Sequence, residues 1–324
     1  MRQLLDIIIP TYKNKEGLCK TLDTIPINYF TNIIVVDDCS GLNYDDIRAK
    51  YNYIYFYQLE ENKGPGMARQ YGTEHSNGEY ILFLDTGDCL AKSGLETIIY
   101  YLLKDNTIKL YSWAYLQGDV IKDRYDTKMI GKIFQRAFLE KYHIRFSEEG
   151  SYANEDFGII RSCELIFKTL GERENLHQHL TSPIFYEEYN PNSITKNNNN
   201  LYRYTKLIPG IIINGLHAIE TTKQYLTEAI IEEELASMLA LVYFYFLKVT
   251  IERPEYALKS WQCIRKFYLD NYIKFNKIIL KDKFLIITLP KVKQANWKKA
   301  VPLNILRFIY ELETSETPPI RYLT

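Results

Sequence analysis

Short apolar runs alternate with amphipathic stretches through roughly the first hundred residues, and this alternation organises the chain. Leu4 to Ile9, Asn32 to Val36, Tyr53 to Tyr57 and Tyr80 to Leu84 have the length and composition of strands. The clearest intervening helix is Pro65 to His75: Gly64 and Pro65 suit its start, and Ala68, Tyr71, Gly72 and His75 fall on one face. Strands and helices in turn predict an α/β domain with a mostly parallel sheet and helices on both sides.

After Leu110 the pattern loosens, with loop-like composition at Gly118 to Thr127 and Ser147 to Asn154. An asparagine run, Asn197 to Asn200, sets a soft boundary between a domain of residues 1–200 and a mainly helical region of residues 201–324. Helices are expected at Thr227 to Lys248 and Glu255 to Asn276, while Phe284 to Leu289 fits either a strand or a buried helical turn. The uncharged stretch Leu235 to Leu247 is shorter than the roughly twenty residues of a membrane span and reads as a buried helix.

Charge and cysteine content narrow the function classes. Lys plus Arg and Asp plus Glu are both 40, so no global field draws the chain to nucleic acid. Cys19, Cys39, Cys89, Cys163 and Cys263 are scattered, with no Cys-x-x-Cys, which argues against a disulfide framework or zinc site and for a reducing, cytoplasmic setting. Asp6 interrupts the N-terminal apolar stretch too early for a signal peptide.

In an open parallel sheet, ligands sit outside the carboxyl ends of the strands. Those ends read Pro10-Thr11-Tyr12, Asp37-Asp38 and Asp85-Thr86-Gly87-Asp88, so a ring and four carboxylates are expected at one edge. The first strand-to-helix turn lacks Gly-x-Gly-x-x-Gly, and no P-loop sequence occurs, which disfavours nicotinamide cofactors and P-loop chemistry. Carboxylates there suit a divalent cation bridging the protein and a diphosphate.

The ordered series Ile7-Ile8-Ile9-Pro10-Thr11-Tyr12-Lys13-Asn14, Ile34-Val35-Val36-Asp37-Asp38-Cys39-Ser40, Glu61-Asn62-Lys63-Gly64 with Ala68-Arg69, and Gly78 to Asp85 resembles the family 2 glycosyltransferases of GT-A fold. It continues through Gly131-Lys132-Ile133-Phe134, Ile144-Arg145-Phe146 and Asn154-Glu155-Asp156, covering roughly the first 200 residues. The resemblance implies an inverting enzyme that uses a nucleotide-sugar, most often a UDP-sugar, and a glycan or glycoconjugate acceptor. On it, Thr11, Tyr12, Asp37, Asp38, Lys63, Arg69 and Asp85 form the donor site. Tyr12 would stack on the base, Asp38 with Asp37 beside it would accept from the base edge, and Lys63 and Arg69 would offset phosphate charge.

The family's metal motif is Asp-x-Asp-Asp, and here Gly87 replaces the central carboxylate. The resemblance then implies Mn²⁺ or Mg²⁺ held by Asp85 and Asp88, with water in the vacated position, or a reaction needing little metal or none. Asp156 matches the catalytic base, with Glu155 orienting it or binding an acceptor hydroxyl; the same pair also suits the dipole of a helix that starts there.

Ser193-Ile194-Thr195-Lys196 resembles a segment near the donor phosphates in relatives. Trp113 and Tyr115 are candidates for an acceptor platform, and His177 and His179 read as ordinary surface or loop residues. The competing functions are a nucleotidyltransferase, which would release pyrophosphate, and a non-catalytic nucleotide or saccharide binder, which Gly87 motivates. The helical region is expected to pack internally, pair subunits or touch the inner face of a membrane.

Overall fold

The structure, a computed structural model, describes residues 3–188, 202–280, 303–319 and 322, and the chain divides into compact units of Met1–Asn192 and Ser193–Thr324. In the first unit, β1 (Leu5–Thr11), β2 (Thr31–Asp37), β3 (Tyr55–Gln58) and β4 (Tyr80–Phe83) form a parallel sheet in the order β3-β2-β1-β4. Beyond β4 it becomes mixed: β8 (Lys132–Gln135) is antiparallel to β4 and to β6 (Leu110–Gln117), and β6 pairs in parallel with β9 (His177–Glu187). The short β5 (Cys89–Leu90) and β7 (Val120–Lys122) complete a nine-stranded sheet among the described residues.

Both sheet faces are covered, so every residue of β1 and β4 is buried and, Asp6 and Thr11 apart, both strands are apolar. Leu5, Ile7 and Ile9 share one face with Ile33 and Val35 of β2, under Leu18 and Leu22 of α1 (Lys15–Asp23), Ile47 of α2 (Asp45–Lys50) and Leu95 and Ile98 of α4 (Gly94–Lys104). On the other face, α3 (Gly64–Glu74) packs on β1 and β2, and Phe83 meets Phe134 and Phe146. A short α5 (Arg136–Lys141) follows β8, and α6 (Glu155–Leu170) and α7 (Arg173–Leu176) lead into β9.

The second unit is helical. Among the described residues its α-helices are α8 (Tyr202–Thr205), α9 (Leu207–Thr222), α10 (Glu228–Glu252), α11 (Ala257–Asp270), α12 (Tyr272–Leu280) and a further helix, Leu303–Thr314. The stretch expected as one helix from Glu255 is broken at Asn271 between α11 and α12. Among the described residues, α10 alone is long and apolar enough to cross a membrane by length and composition, but 67% of its most apolar window is buried. Its middle, Leu235 to Leu247, carries no charge, in keeping with the packing of α9, α11 and α12 on this helix, and its Phe246 joins Trp261, Phe308 and Tyr322 in an aromatic core. The Asn197–Asn200 run, Ser193–Lys196 and Phe284–Leu289 lie outside the described residues.

Candidate active site

At the ends of β1 and β2 the two neighbouring aspartates separate in role, because successive strand residues face opposite ways. Asp37 turns inward and is 0% exposed: one oxygen accepts from Ser40 N at 3.0 Å and Gln58 Nε2 at 3.1 Å, the other from Tyr44 Oη at 3.1 Å. Asp37, expected in the donor site beside Asp38, is instead turned away from that edge and pins the turn after β2. Asp38 instead caps α3, accepting from Lys63 N at 2.7 Å and Gly64 N at 2.8 Å. Burial raises its pKa, against the pull of those two donors. Each carboxylate oxygen keeps a second acceptor direction, so capping is compatible with meeting a base edge.

Thr11 is buried, its carbonyl accepting Asp38 N at 2.9 Å, whereas the ring of Tyr12 is half-exposed at the sheet edge. Lys63 reaches sideways to Glu61 at 3.1 Å and Glu148 at 3.2 Å, so two carboxylates already engage the ammonium expected to serve phosphate.

Arg69 departs furthest from its expected place. Its side chain is 3% exposed and sits inside a set of carboxylates: Nη2 to Asp85 at 2.6 Å, and Nη1 to Glu155 at 2.9 Å and Asp156 at 3.2 Å. A guanidinium so enclosed does not meet phosphate; it joins the carboxylate after β4 to the two that begin α6. Its pKa is raised, the three carboxylates outweighing burial. One cation cannot neutralise three anions, and the surplus falls on Asp156. Its pKa is pushed up to about 7, first by burial and then by Glu155 and Asp85, against the opposing pull of Arg69 and the Met129 N–H. Asp156 Oδ2 accepts from Met129 N at 2.9 Å, whereas the buried Oδ1 faces Arg69 Nη1 at 3.2 Å. Glu155 and Asp156 also occupy the first turn of α6, so the dipole reading holds alongside the chemical one.

The carboxylates at 85 and 88 do not form a metal cage. Asp85 Oδ1 is taken by Arg69, Asp88 Oδ1 accepts from Glu188 N at 3.1 Å, and Glu188 is ion-paired with Lys20. Gly87, at φ +106°, has its N–H on Thr21 Oγ1 at 2.8 Å, and a Cβ there would lie 3.2 Å from Glu188 Oε2. Among the described residues no three His, Cys, Asp or Glu side chains converge as metal ligands. The Mn²⁺ or Mg²⁺ site expected at Asp85 and Asp88 therefore does not fit these residues as they are arranged.

Further along the sheet, Trp113 and Tyr115 are 2% and 1% exposed and lie in the core below α4, which corrects the acceptor-platform expectation. The histidines are not loop residues either. They alternate on β9, both bonded to Ser112 Oγ, His177 Nε2 at 2.9 Å and His179 Nδ1 at 2.8 Å, with His179 Nε2 on Asp123 at 3.0 Å. Burial first, then the charges of Arg173, His179 and Lys132, lower the pKa of His177 to about 4. Cross-strand from Ser112 stands Lys132, 3% exposed and 3.4 Å from Asp126. The readable signal for this missed network was the His-x-His spacing, which places both rings on one face of a strand.

A model of glycosyl transferase family 2 matches residues 6–167, half of the chain. The poly(ribitol-phosphate) beta-N-acetylglucosaminyltransferase TarP of Staphylococcus aureus is 26% identical over 148 residues, 43% of this chain and 42% of that protein. The putative teichuronic acid biosynthesis glycosyltransferase TuaG of Bacillus subtilis is 29% identical over 109 residues, 32% of this chain and 43% of that protein. The chain thus spans less than half the length of these two relatives. The crystal structure of S. aureus TarS 1-349 in complex with UDP-GlcNAc superposes with TM-score 0.59 at 18% identity, covering 92% of this chain and 93% of that one, a likeness of fold.

Proposed function

Because this chain belongs to glycosyl transferase family 2, we propose that it moves a sugar from a UDP-sugar to an acceptor hydroxyl with inversion, Asp156 acting as the base. The observation that carries this reading is the state of Asp156: partly exposed in the first turn of α6, its pKa near 7, and joined through Arg69 to Asp85 at the end of β4. A base poised near the working pH combines the ionised form with useful basicity, a contribution of roughly 10²- to 10⁴-fold. The acceptor oxygen attacks the anomeric carbon, the bond from that carbon to the diphosphate oxygen breaks, and UDP leaves with the electron pair. The hydroxyl proton passes to the Asp156 carboxylate.

Arg69 holds Asp85, on the donor edge, and Asp156 in one charge network, so donor and acceptor groups keep a fixed relation. Tyr12 and Asp38 are the groups we assign to the nucleobase. TarP is named as an N-acetylglucosaminyltransferase and TarS was crystallised with UDP-GlcNAc, which supports UDP-GlcNAc as the first donor to test. The acceptor class we assign is a hydroxyl of a glycan or other glycoconjugate, handled in the cytoplasm.

The test is the product. Incubation with UDP-GlcNAc and a panel of glycan and polyol-phosphate acceptors is expected to release UDP and to lose that release in Asp156→Asn, with UDP binding retained. Pyrophosphate release in a parallel incubation with UTP and a sugar 1-phosphate would establish a nucleotidyltransferase instead, and an Asp156→Asn variant as active as wild type would remove the base assignment.

A further inference from the structure

Tyr152 lies in the segment 147–154 that leads into α6. Its ring is 47% exposed, and its hydroxyl donates to the carbonyl of Asn62, whose side chain in turn donates to the Asp38 carbonyl at 3.0 Å. The ring lies against the first turn of α3: a Cβ at Gly64, where φ is +85°, would stand 2.9 Å from Tyr152 Cδ1 and from the Ser151 carbonyl. Only glycine admits both this backbone conformation and this approach. Asp38 caps that same turn, and Tyr12, 46% exposed, directly follows the residue whose carbonyl accepts Asp38 N. Tyr152 thus covers the turn that the Asp38 carboxylate caps, and the half-exposed Tyr12 leaves β1 beside the residue bonded to the Asp38 backbone. The Tyr152 hydroxyl is raised by burial and then by the charges of Asp38, Glu61 and Tyr12, in keeping with that neighbourhood.

The segment carrying Tyr152 is also fastened to α3, by Met67 N on Ser151 Oγ at 2.8 Å and Gly66 N on the Ser151 carbonyl at 3.3 Å, and it runs directly into Glu155 and Asp156. We propose that Tyr152 supplies a second aromatic surface for the nucleobase of the donor, so that a base bound at Asp38 also steadies the segment that positions Asp156. This deepens the donor reading above and rests on it. An aromatic ring with a free face stacks on a flat base, and the turn that Tyr152 covers is the one Asp38 caps.

The experiment is calorimetric titration of UDP into wild type, Tyr152→Phe, Tyr152→Leu and Tyr152→Ala. Leu keeps most of the volume without the π face, and Phe keeps the face without the hydroxyl. UDP affinity is expected to fall roughly 5- to 150-fold in Ala and Leu, the range for one lost base–aromatic stack, and to stay within about twofold in Phe. With UDP-sugar as substrate, KM should rise more than kcat falls in the Leu variant. Binding by Tyr152→Leu equal to wild type, or a loss in Phe as large as in Ala, overturns the proposal. A wild-type protein that binds no UDP overturns the donor reading itself, a result separable from the variant series.

Discussion

Asp156→Asn should make the protein both inactive and more stable, and the gain should depend on pH. In the folded state the carboxyl holds its proton to about pH 7, whereas an unfolded aspartate ionises near 3.9. Below about pH 4 both states are protonated and the substitution is indifferent. Between about pH 4 and 7 the unfolded chain has released a proton that the folded chain keeps, so wild-type stability falls as pH rises. Above about pH 7 the full cost of the buried charge is present. A difference of about three units at ~1.36 kcal/mol each sets a ceiling of about 4 kcal/mol. Because Arg69 and the Met129 N–H would face an amide in the variant, a gain of roughly 2 kcal/mol at pH 8 is expected, shrinking at pH 5. Urea unfolding of both proteins at the two pH values measures it. A variant no more stable than wild type at pH 8, or a gain equal at both, refutes the argument that Asp156 is an undercompensated buried carboxylate.

The remaining predictions concern its neighbours. The rate of sugar transfer should rise with pH through about 7 as Asp156 ionises, and Arg69→Met should move that limb to higher pH, because the guanidinium paired with the carboxylates is gone. The same variant should lose about 3 kcal/mol in chemical denaturation at neutral pH. His177 titrates near 4 when folded and near 6.5 when unfolded, so its contribution weakens stability as pH falls through that window; His177→Gln should flatten the acid limb of the stability profile by on the order of 2 kcal/mol. Gly87→Ala, at φ +106° and 3.2 Å from the Glu188 carboxylate, should lower stability by about 1–3 kcal/mol in thermal unfolding. Trp261→Ala, emptying a fully buried site in the helical unit, should cost about 3–5 kcal/mol in the transition of that unit.

Burial on both faces made the central strands legible. β1, β2 and β4 hold the apolar runs Ile7–Ile9, Ile33–Val36 and Tyr80–Phe83, and polar residues follow each of them. The third strand lies two residues later at its start than expected, at Tyr55–Gln58, because Tyr53 and Ile54 turn onto the core before the edge strand begins. β6 and β9 escaped for another reason. Their second face is a polar network of Ser112, His177 and His179, so neither a plain apolar run nor a clean alternation with solvent-facing residues appears. Strand parity could have separated Asp37 from Asp38, since Asp37 shares its face with Ile33 and Val35. The Arg69 network could not be read in this way, because it joins positions 69, 85, 155 and 156 through tertiary packing.

The central claim is that the edge formed by Tyr12 and Asp38 binds a uridine nucleotide, and calorimetric titration with UDP, ADP and GDP tests it most directly. The account predicts one UDP site per chain, displaced by UDP-GlcNAc and weakened at least tenfold by Tyr12→Ala, with ADP and GDP binding more weakly. Equal affinity for all three nucleotides, or no binding of UDP, would contradict it.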